Sequence, residues 1–226
     1  MQELLTWAHA LGGVIALVSM WVPLFSAKGG VVHRKAGRVF VWAMAWVSVS
    51  AVVASALRLT SEPDKPQGPL FLSLVALQSA AATWWGVSMV RHKQRDAVSR
   101  SLPDWIAVVA LVGSGVLTLA YWLQGAAVLF GIFGVLNLVF GLRFARVLGR
   151  APRSRFWWWY EHLFGMLVAC IGTLTAFFVV NYERIPEAVQ SHLPPLVVWT
   201  APGLVGGLGI ALATRYYRRK LERSGP

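Results

Sequence analysis

Residues 105–142 read WIAVVALVGSGVLTLAYWLQGAAVLFGIFGVLNLVFGL, without a single Asp, Glu, Lys or Arg. A helix that crosses the roughly 30 Å hydrocarbon core of a bilayer needs about 20 apolar residues. The stretch holds about 38 residues, which is too long for one crossing. Its Gln124-Gly125 pair therefore predicts a tight turn between two membrane helices at 105–123 and 126–142. This hairpin indicates an all-α transmembrane bundle.

Five further stretches have the same length and apolar character. They are residues 4–25, 39–57, 69–90, 157–180 and 196–214. The composition agrees, because 57% of the residues are hydrophobic and only 13% are charged. Soluble domains have about 45–50% apolar and about 25% charged residues. The sequence thus predicts a single transmembrane domain of about seven helices over residues 1–226. The first apolar stretch is longer than that of a cleaved signal, so we expect it to be retained.

The basic residues predict an orientation. Most of them fall between the first and second, third and fourth, or fifth and sixth predicted helices, or in the C-terminal tail: Lys28, Arg34, Lys35, Arg38, Arg91, Lys93, Arg95, Arg100, Arg143, Arg146, Arg150, Arg153, Arg155, Arg215, Arg218, Arg219, Lys220 and Arg223. The alternate loops hold only Arg58, Lys65 and Arg184. Because cytoplasmic loops are enriched in Lys and Arg, we expect the N-terminus outside and the C-terminus in the cytoplasm.

This pattern also suggests where the protein resides and what it contacts. We expect a multi-pass protein of the inner (cytoplasmic) membrane whose basic loops meet anionic lipid headgroups at the cytoplasmic face. The net charge of +12 fits this distribution and does not indicate a nucleic-acid partner. Every lysine lies in a loop or the tail, so no predicted helix can form a retinal Schiff base.

A few polar side chains lie within or beside the predicted helices, where they are costly and become functional candidates. The candidates for ligand binding or a polar network are His33, Arg38, Gln78, Asn137, Glu161 and His162. Each could instead be an interhelical hydrogen-bond partner. In that interpretation Glu161 pairs with an arginine such as Arg34, Arg38 or Arg146.

The histidines suggest two kinds of cofactor site. His9 and His162 lie near opposite faces, about 15 Å apart along the membrane normal at 1.5 Å per residue. One haem iron cannot bind both, so a haem b site would pair His9 with His192 on the outer side. On the inner side, His33, His92, Glu161 and His162 offer the ligands of a zinc or iron site. The alternative leaves His33 and His92 as solvated loop residues.

The last predicted helix contains Pro202, Gly203, Gly206, Gly207 and Gly209. A Pro/Gly cluster near mid-membrane can break a helix, and transporters place substrate sites at such breaks. The same small residues can also allow close helix packing.

Two runs resemble signatures of a known family. HRKAGRVF at residues 33–40 and WYEHLFGM at 159–166 are similar to the HRKxGRxF and WYEHxxGM signatures of a family of bacterial multi-pass membrane proteins of unknown function. Segments 193–195 and 202–206 resemble a third signature, and the resemblance extends over about residues 5–212. It implies no activity, but it implies a related set of residues: His33, Gly37, Arg38, Glu161, His162 and Asn181.

These observations predict an integral membrane protein that binds a small apolar or lipid-like molecule within its helix bundle. The alternatives are a membrane redox protein carrying haem b, a small transporter and a metal-dependent membrane hydrolase. They include enzymatic and non-enzymatic roles.

Overall fold

The computed structural model of the protein describes residues 2–95, 97–99, 101–152 and 154–222. Its helices are α1 (Gln2–Ser19), α2 (Trp21–Phe25), α3 (Val31–Ser61), α4 (Gln67–Arg91), α5 (Leu102–Leu123), α6 (Val128–Leu148), α7 (Trp157–Val180), α8 (Glu187–Gln190) and α9 (Pro195–Glu222), with a 3-10 turn at Tyr182–Arg184. The described residues contain no β-strand.

Seven of these helical segments are long and apolar enough to cross a membrane. They are the continuous run Gln2–Phe25, which joins α1 and α2, and the helices α3, α4, α5, α6, α7 and α9. Large apolar side chains such as Leu117 and Leu204 point away from the bundle and are more than 70% exposed. The all-α bundle of about seven helices is confirmed, and it indicates a multi-pass membrane protein.

Three helices extend well beyond the predicted limits, by six residues or more. α3 begins at Val31 instead of residue 39, α6 continues to Leu148, and α9 continues to Glu222. Their added turns carry basic side chains, whose long aliphatic stems can lie on apolar surface while the charge reaches water. A search for apolar residues detects only the part of a helix in hydrocarbon, so it ends these helices too early. Arg100, Arg153 and Arg223 of the orientation argument lie outside the described residues.

We call one end of the bundle the basic end. It comprises the start of α3, the end of α4, the start of α5, the end of α6, the start of α7 and the end of α9. Contacts between these segments, such as Arg143–Glu161, His33–His162, Trp84–Asp104 and Tyr160–Glu222, place the predicted basic segments that the structure describes at this end.

α4 occupies the centre of the bundle. It packs against α3, α5 and α7, while α1 packs on α3, α6 on α5 and α9 on α7. Its side chains Trp85 and Met89 are fully buried. α4, the most buried of the seven spans, and α7, which packs along it, therefore define the interior around which the other helices assemble.

The backbones of α4 and α7 touch at Gly165. A Cβ atom at this position would lie 2.6 Å from the Gly86 nitrogen and 2.7 Å from the Ala82 carbonyl oxygen. Small residues permit such approach in membranes, where helices associate by packing and hydrogen bonding because lipid is as apolar as the helix surface. No flexible side chain can move aside there, so position 165 requires glycine.

Replacing Gly165 with alanine should therefore destabilise the bundle. We expect Gly165→Ala to lower the free energy of unfolding by about 1–3 kcal/mol, as overpacking does. Gly172→Ala is the matched control on the same helix, because its Cβ would meet only Ser79 Oγ at an ordinary 3.4 Å. Thermal unfolding in detergent measures both variants. Equal melting temperatures for the two would contradict the close contact.

Candidate functional site

A buried ion pair joins three helices at the basic end. The Arg143 guanidinium of α6 donates from Nη1 to Glu161 Oε2 at 2.6 Å and from Nη2 to Oε1 at 2.8 Å. Trp85 Nε1 of α4 donates to the same Oε2 at 3.0 Å. Glu161 is only 9% exposed. Since both carboxylate oxygens are already hydrogen-bonded, Glu161 is suited to holding helices together rather than to binding a ligand.

Glu161 does pair with an arginine, as one interpretation of the sequence predicted, but this arginine is Arg143 and none of the three suggested. Arg34 instead donates to the Gly29 carbonyl at 2.6 Å, and Arg38 and Arg146 are exposed. Arg143 was assigned to a loop, but α6 continues past it and turns it towards α7. Its guanidinium also lies 3.7 Å above the ring centre of Phe164, a cation–π contact that fixes its position.

Two of the predicted candidates, His33 and His162, come together. His33 Nδ1 lies 3.1 Å from the Pro23 carbonyl oxygen, and His162 Nδ1 lies 2.7 Å from the Gly86 carbonyl oxygen. Their ring centres are 6.3 Å apart. A carbonyl can only accept, so both rings carry a proton on Nδ1. Each neutral ring then has its Nε2 lone pair available.

The other members of the predicted metal set lie elsewhere. His92 is 3.6 Å from Asp104 Oδ2 and 3.2 Å from Ser88 Oγ, while Glu161 binds Arg143. Within the described ranges, no three or more His, Cys, Asp or Glu side chains are grouped so that they could hold a metal ion. The zinc or iron set of His33, His92, Glu161 and His162 is therefore not assembled. Neither His33 nor His92 is a free loop residue, since each is hydrogen-bonded.

The two histidines proposed for haem b have separate neighbours. His9 Nδ1 lies 2.9 Å from Ser50 Oγ on α3. His192 follows α8, is exposed, and lies 3.0 Å from the Ala188 carbonyl oxygen. No contact in the described part of the chain links the two rings.

Asn137 and Gln78 lie inside the bundle. Asn137 of α6 is fully buried and donates from Nδ2 to Ser114 Oγ of α5 at 3.0 Å. This is an interhelical hydrogen bond of the kind expected for a polar residue in a membrane helix. Gln78 Oε1 is buried and has no hydrogen-bond partner among the described residues.

Sequence reasoning missed Asp104. This residue is fully buried, and its Oδ1 accepts hydrogen bonds from Trp84 Nε1 at 2.8 Å and from Ser88 Oγ at 2.6 Å. Two signals could have found it. Asp104 lies in the first turn of α5, where the helix dipole stabilises a carboxylate. Trp84, Ser88 and His92 recur at four-residue intervals and so place polar groups along one face of α4.

Arg95, in the α4–α5 loop, supplies positive charge near the carboxylates of Asp104 and Glu161. Its Nη2 donates to the Val147 carbonyl at 2.9 Å, and its guanidinium lies 4.4 Å from the ring centre of Trp157. Burial lowers the pKa of Arg95 from its ordinary value, while Asp104 and Glu161 act in the opposite direction. The basic end thus holds its buried acids close to buried or half-buried arginines.

A groove of about 700 Å³ lies between α1 and α3 on the outside of the bundle. It is lined by Gly12, Ile15, Lys35, Arg38, Val39, Trp42, Ala43 and Trp46. Lys35 and Arg38 are exposed and make no hydrogen bond or ion pair with the described residues. Trp46 crosses onto α1, where its Nε1 donates to the Ala8 carbonyl at 2.9 Å. The groove is therefore cationic at the basic end and aromatic along its length.

A second crevice of about 430 Å³ lies between α7 and α9. Its walls are apolar and include Ile171, Phe178, Pro202 and Gly206. α9 continues without interruption through Pro202, so of the two alternatives for its Pro/Gly cluster the helix break is absent. Gly206 instead provides room for Ile171 of α7, which is the close-packing alternative.

Fold and site together define a class, the multi-pass helical membrane proteins. No protein-family model, curated protein or solved structure matches this chain. The resemblance to a bacterial membrane protein family stays a prediction.

Breaking the Arg143–Glu161 pair should destabilise the protein asymmetrically. We expect Arg143→Gln to lower the free energy of unfolding by about 3–5 kcal/mol, because it leaves a buried carboxylate without its counter-ion. Glu161→Gln should cost less, since the Arg143 side chain is already 31% exposed and can turn towards water. Unfolding by added SDS measures both.

The matched control is Arg146→Gln, which removes an exposed arginine of the same helix. It should leave stability unchanged. An Arg143→Gln variant as stable as this control would show that the ion pair has no role in holding the helices.

Proposed function

We propose that the protein binds an amphiphile with an anionic headgroup, such as an anionic phospholipid, in the groove between α1 and α3. The main support is the placement of two cations, Lys35 and Arg38, at one end of an otherwise apolar and aromatic groove, where neither has a partner among the described residues. A phosphate or carboxylate headgroup would complement this pair, while the acyl chain would lie along Trp42 and Trp46.

The dimensions of the groove fit a lipid. Lys35, Arg38, Trp42 and Trp46 are spaced by three or four residues and form one stripe along α3. The stripe is about 16 Å long at 1.5 Å per residue. This length corresponds to one leaflet of a hydrocarbon core roughly 30 Å thick. A headgroup at Lys35 and Arg38 would therefore place its chain beside the two tryptophans.

The aromatic wall of the groove is held in a fixed position by contacts with α1. At Gly12 a side chain would collide with the Trp46 ring, so glycine permits the tryptophan to lie across α1. The Trp46 hydrogen bond to Ala8 then fixes the indole. Because the Trp46 side chain is already held in one conformation, it loses little conformational entropy when an acyl chain packs on it.

We further propose that the basic end faces the cytoplasm and that the membrane is the cytoplasmic membrane. Most Lys and Arg residues lie in the segments at the basic end, and cytoplasmic segments of membrane proteins are enriched in these residues. This distribution supports the orientation. Anionic lipid in the cytoplasmic leaflet would then meet Lys35 and Arg38, attracted by about 1 kcal/mol for each basic residue near the surface.

Removing the two cations should abolish selective lipid retention. Native mass spectrometry of protein extracted in mild detergent and supplied with equal phosphatidylglycerol and phosphatidylcholine should show one retained phosphatidylglycerol. We expect Lys35→Gln with Arg38→Gln to reduce the retained anionic lipid by about tenfold or more, from the attraction of two charges.

Arg34→Gln is the control, because Arg34 is a neighbouring cation turned to the Gly29 carbonyl and away from the groove. It should retain lipid like the unmodified protein. Equal loss in the control, or no preference between the two lipids in the unmodified protein, would contradict the proposal.

The orientation has its own test. Green fluorescent protein fused after residue 226 should fluoresce, and alkaline phosphatase fused after residue 64 in the α3–α4 loop should be active. The first reporter works inside the cytoplasm and the second outside it. The opposite pair of results would reverse the proposed orientation and leave the groove facing the other leaflet.

A further inference from the structure

The His33–His162 pair has the form of two ligands of a metal site. Both rings are held by a main-chain carbonyl through Nδ1, and this kind of outer contact orients the histidine ligands of metals. It fixes the tautomer in which Nε2 has a free lone pair. The two residues are far apart in the chain, yet the turn at Pro23 and the helix contact at Gly86 bring them to the same depth.

The ring separation suits one shared ion. An ion bound by two Nε2 atoms at about 2 Å places the ring centres roughly 5–6.5 Å apart, depending on the angle at the metal. The observed distance is 6.3 Å, near the upper part of this range. It therefore fits a wide angle between the two imidazole ligands better than a tetrahedral angle.

A sulfur-bearing side chain, Met166, lies on the same helix as His162. Met20, Met44 and Cys170 belong to one buried cluster between α1, α3 and α7, and the partly buried Met166 packs against it. Met166 follows His162 by one helical turn, and its methyl group packs at Gly86, the residue whose carbonyl holds His162. Met20 precedes Pro23, which holds His33, by three residues. The Met166 thioether thus lies about one turn from the His162 imidazole along α7.

We propose that His33 and His162 bind a single Cu(I) ion, with the Met166 thioether as the neighbouring soft ligand. Imidazole and thioether groups suit Cu(I), whereas Mg²⁺, Ca²⁺ and Mn²⁺ require oxygen ligands. The nearest carboxylate on α7, Glu161, is already bound to Arg143 and Trp85. The two-histidine set also lacks the four ligands that structural zinc sites use.

Electrostatics favour a monovalent ion here. The Lys28 ammonium donates to the Pro23 carbonyl at 3.0 Å, the same oxygen that accepts from His33. Its repulsion of a bound cation rises in proportion to the cation's charge and is therefore twice as large for a divalent ion. With two neutral imidazoles as ligands, no anion offsets that repulsion. The site is independent of the lipid groove, which is lined by other residues of α3.

Competition with the Cu(I) chelator bicinchoninate tests the proposal on the purified full-length protein, kept anaerobic and reduced. We expect one Cu(I) per chain. His33→Ala and His162→Ala should each weaken binding by more than the about 10–100-fold that loss of an outer contact costs. His92→Ala is the matched control, because His92 lies at the same end but faces Asp104. It should bind Cu(I) like the unmodified protein.

X-ray absorption at the copper edge identifies the ligands in the unmodified protein itself. The unmodified protein should show imidazole scattering together with sulfur, and Met166→Leu should remove the sulfur and keep the imidazole. The proposal is overturned by absence of stoichiometric Cu(I) binding, by a spectrum without imidazole, or by unchanged affinity in both alanine variants. It is also overturned if equimolar Zn²⁺ displaces Cu(I) from the pair.

Discussion

The backbone contact of Gly165 with Gly86 sets the register on which the rest of the site depends. With α7 held against α4 at this point, Glu161 reaches Trp85, and His162 reaches the Gly86 carbonyl. Met166 packs over the same glycine from the next turn. A shift of one residue along either helix would separate all three contacts at once. The small side chains therefore determine the chemistry of the basic end, although they take no part in it.

Polar contacts at this end specify the arrangement of the helices more than they stabilise it. Lipid is as apolar as a leucine-rich helix surface, so apolar packing alone does not select one register over its neighbours. A buried carboxylate does select one register, because burying it without a counter-ion costs several kcal/mol in any other register. Arg143 and Trp85 meet Glu161 in one register of α4, α6 and α7. Asp104, with Trp84 and Ser88, does the same for α4 and α5.

The sequence predicts the number and approximate position of the helices because each crossing needs a minimum apolar length. It predicts their ends poorly, as at Val31 and Glu222, since helices continue into the headgroup layer with charged side chains. Glu161 and His162 could be selected as unusual residues in an apolar helix. Their partners could not, because Arg143 and His33 lie on other helices whose facing surfaces depend on packing. Asp104 was overlooked because a carboxylate in a first helical turn resembles an ordinary dipole contact.

The most direct test of the α4–α7 register is the protonation state of the His162 ring, read by ¹⁵N nuclear magnetic resonance on histidine-labelled protein in lipid bilayers. The signal of His162 is assigned by its loss in His162→Gln. The Gly86 hydrogen bond requires a proton on Nδ1 and, in the neutral ring, none on Nε2. A neutral His162 ring protonated on Nε2 instead would contradict this register and the site that depends on it.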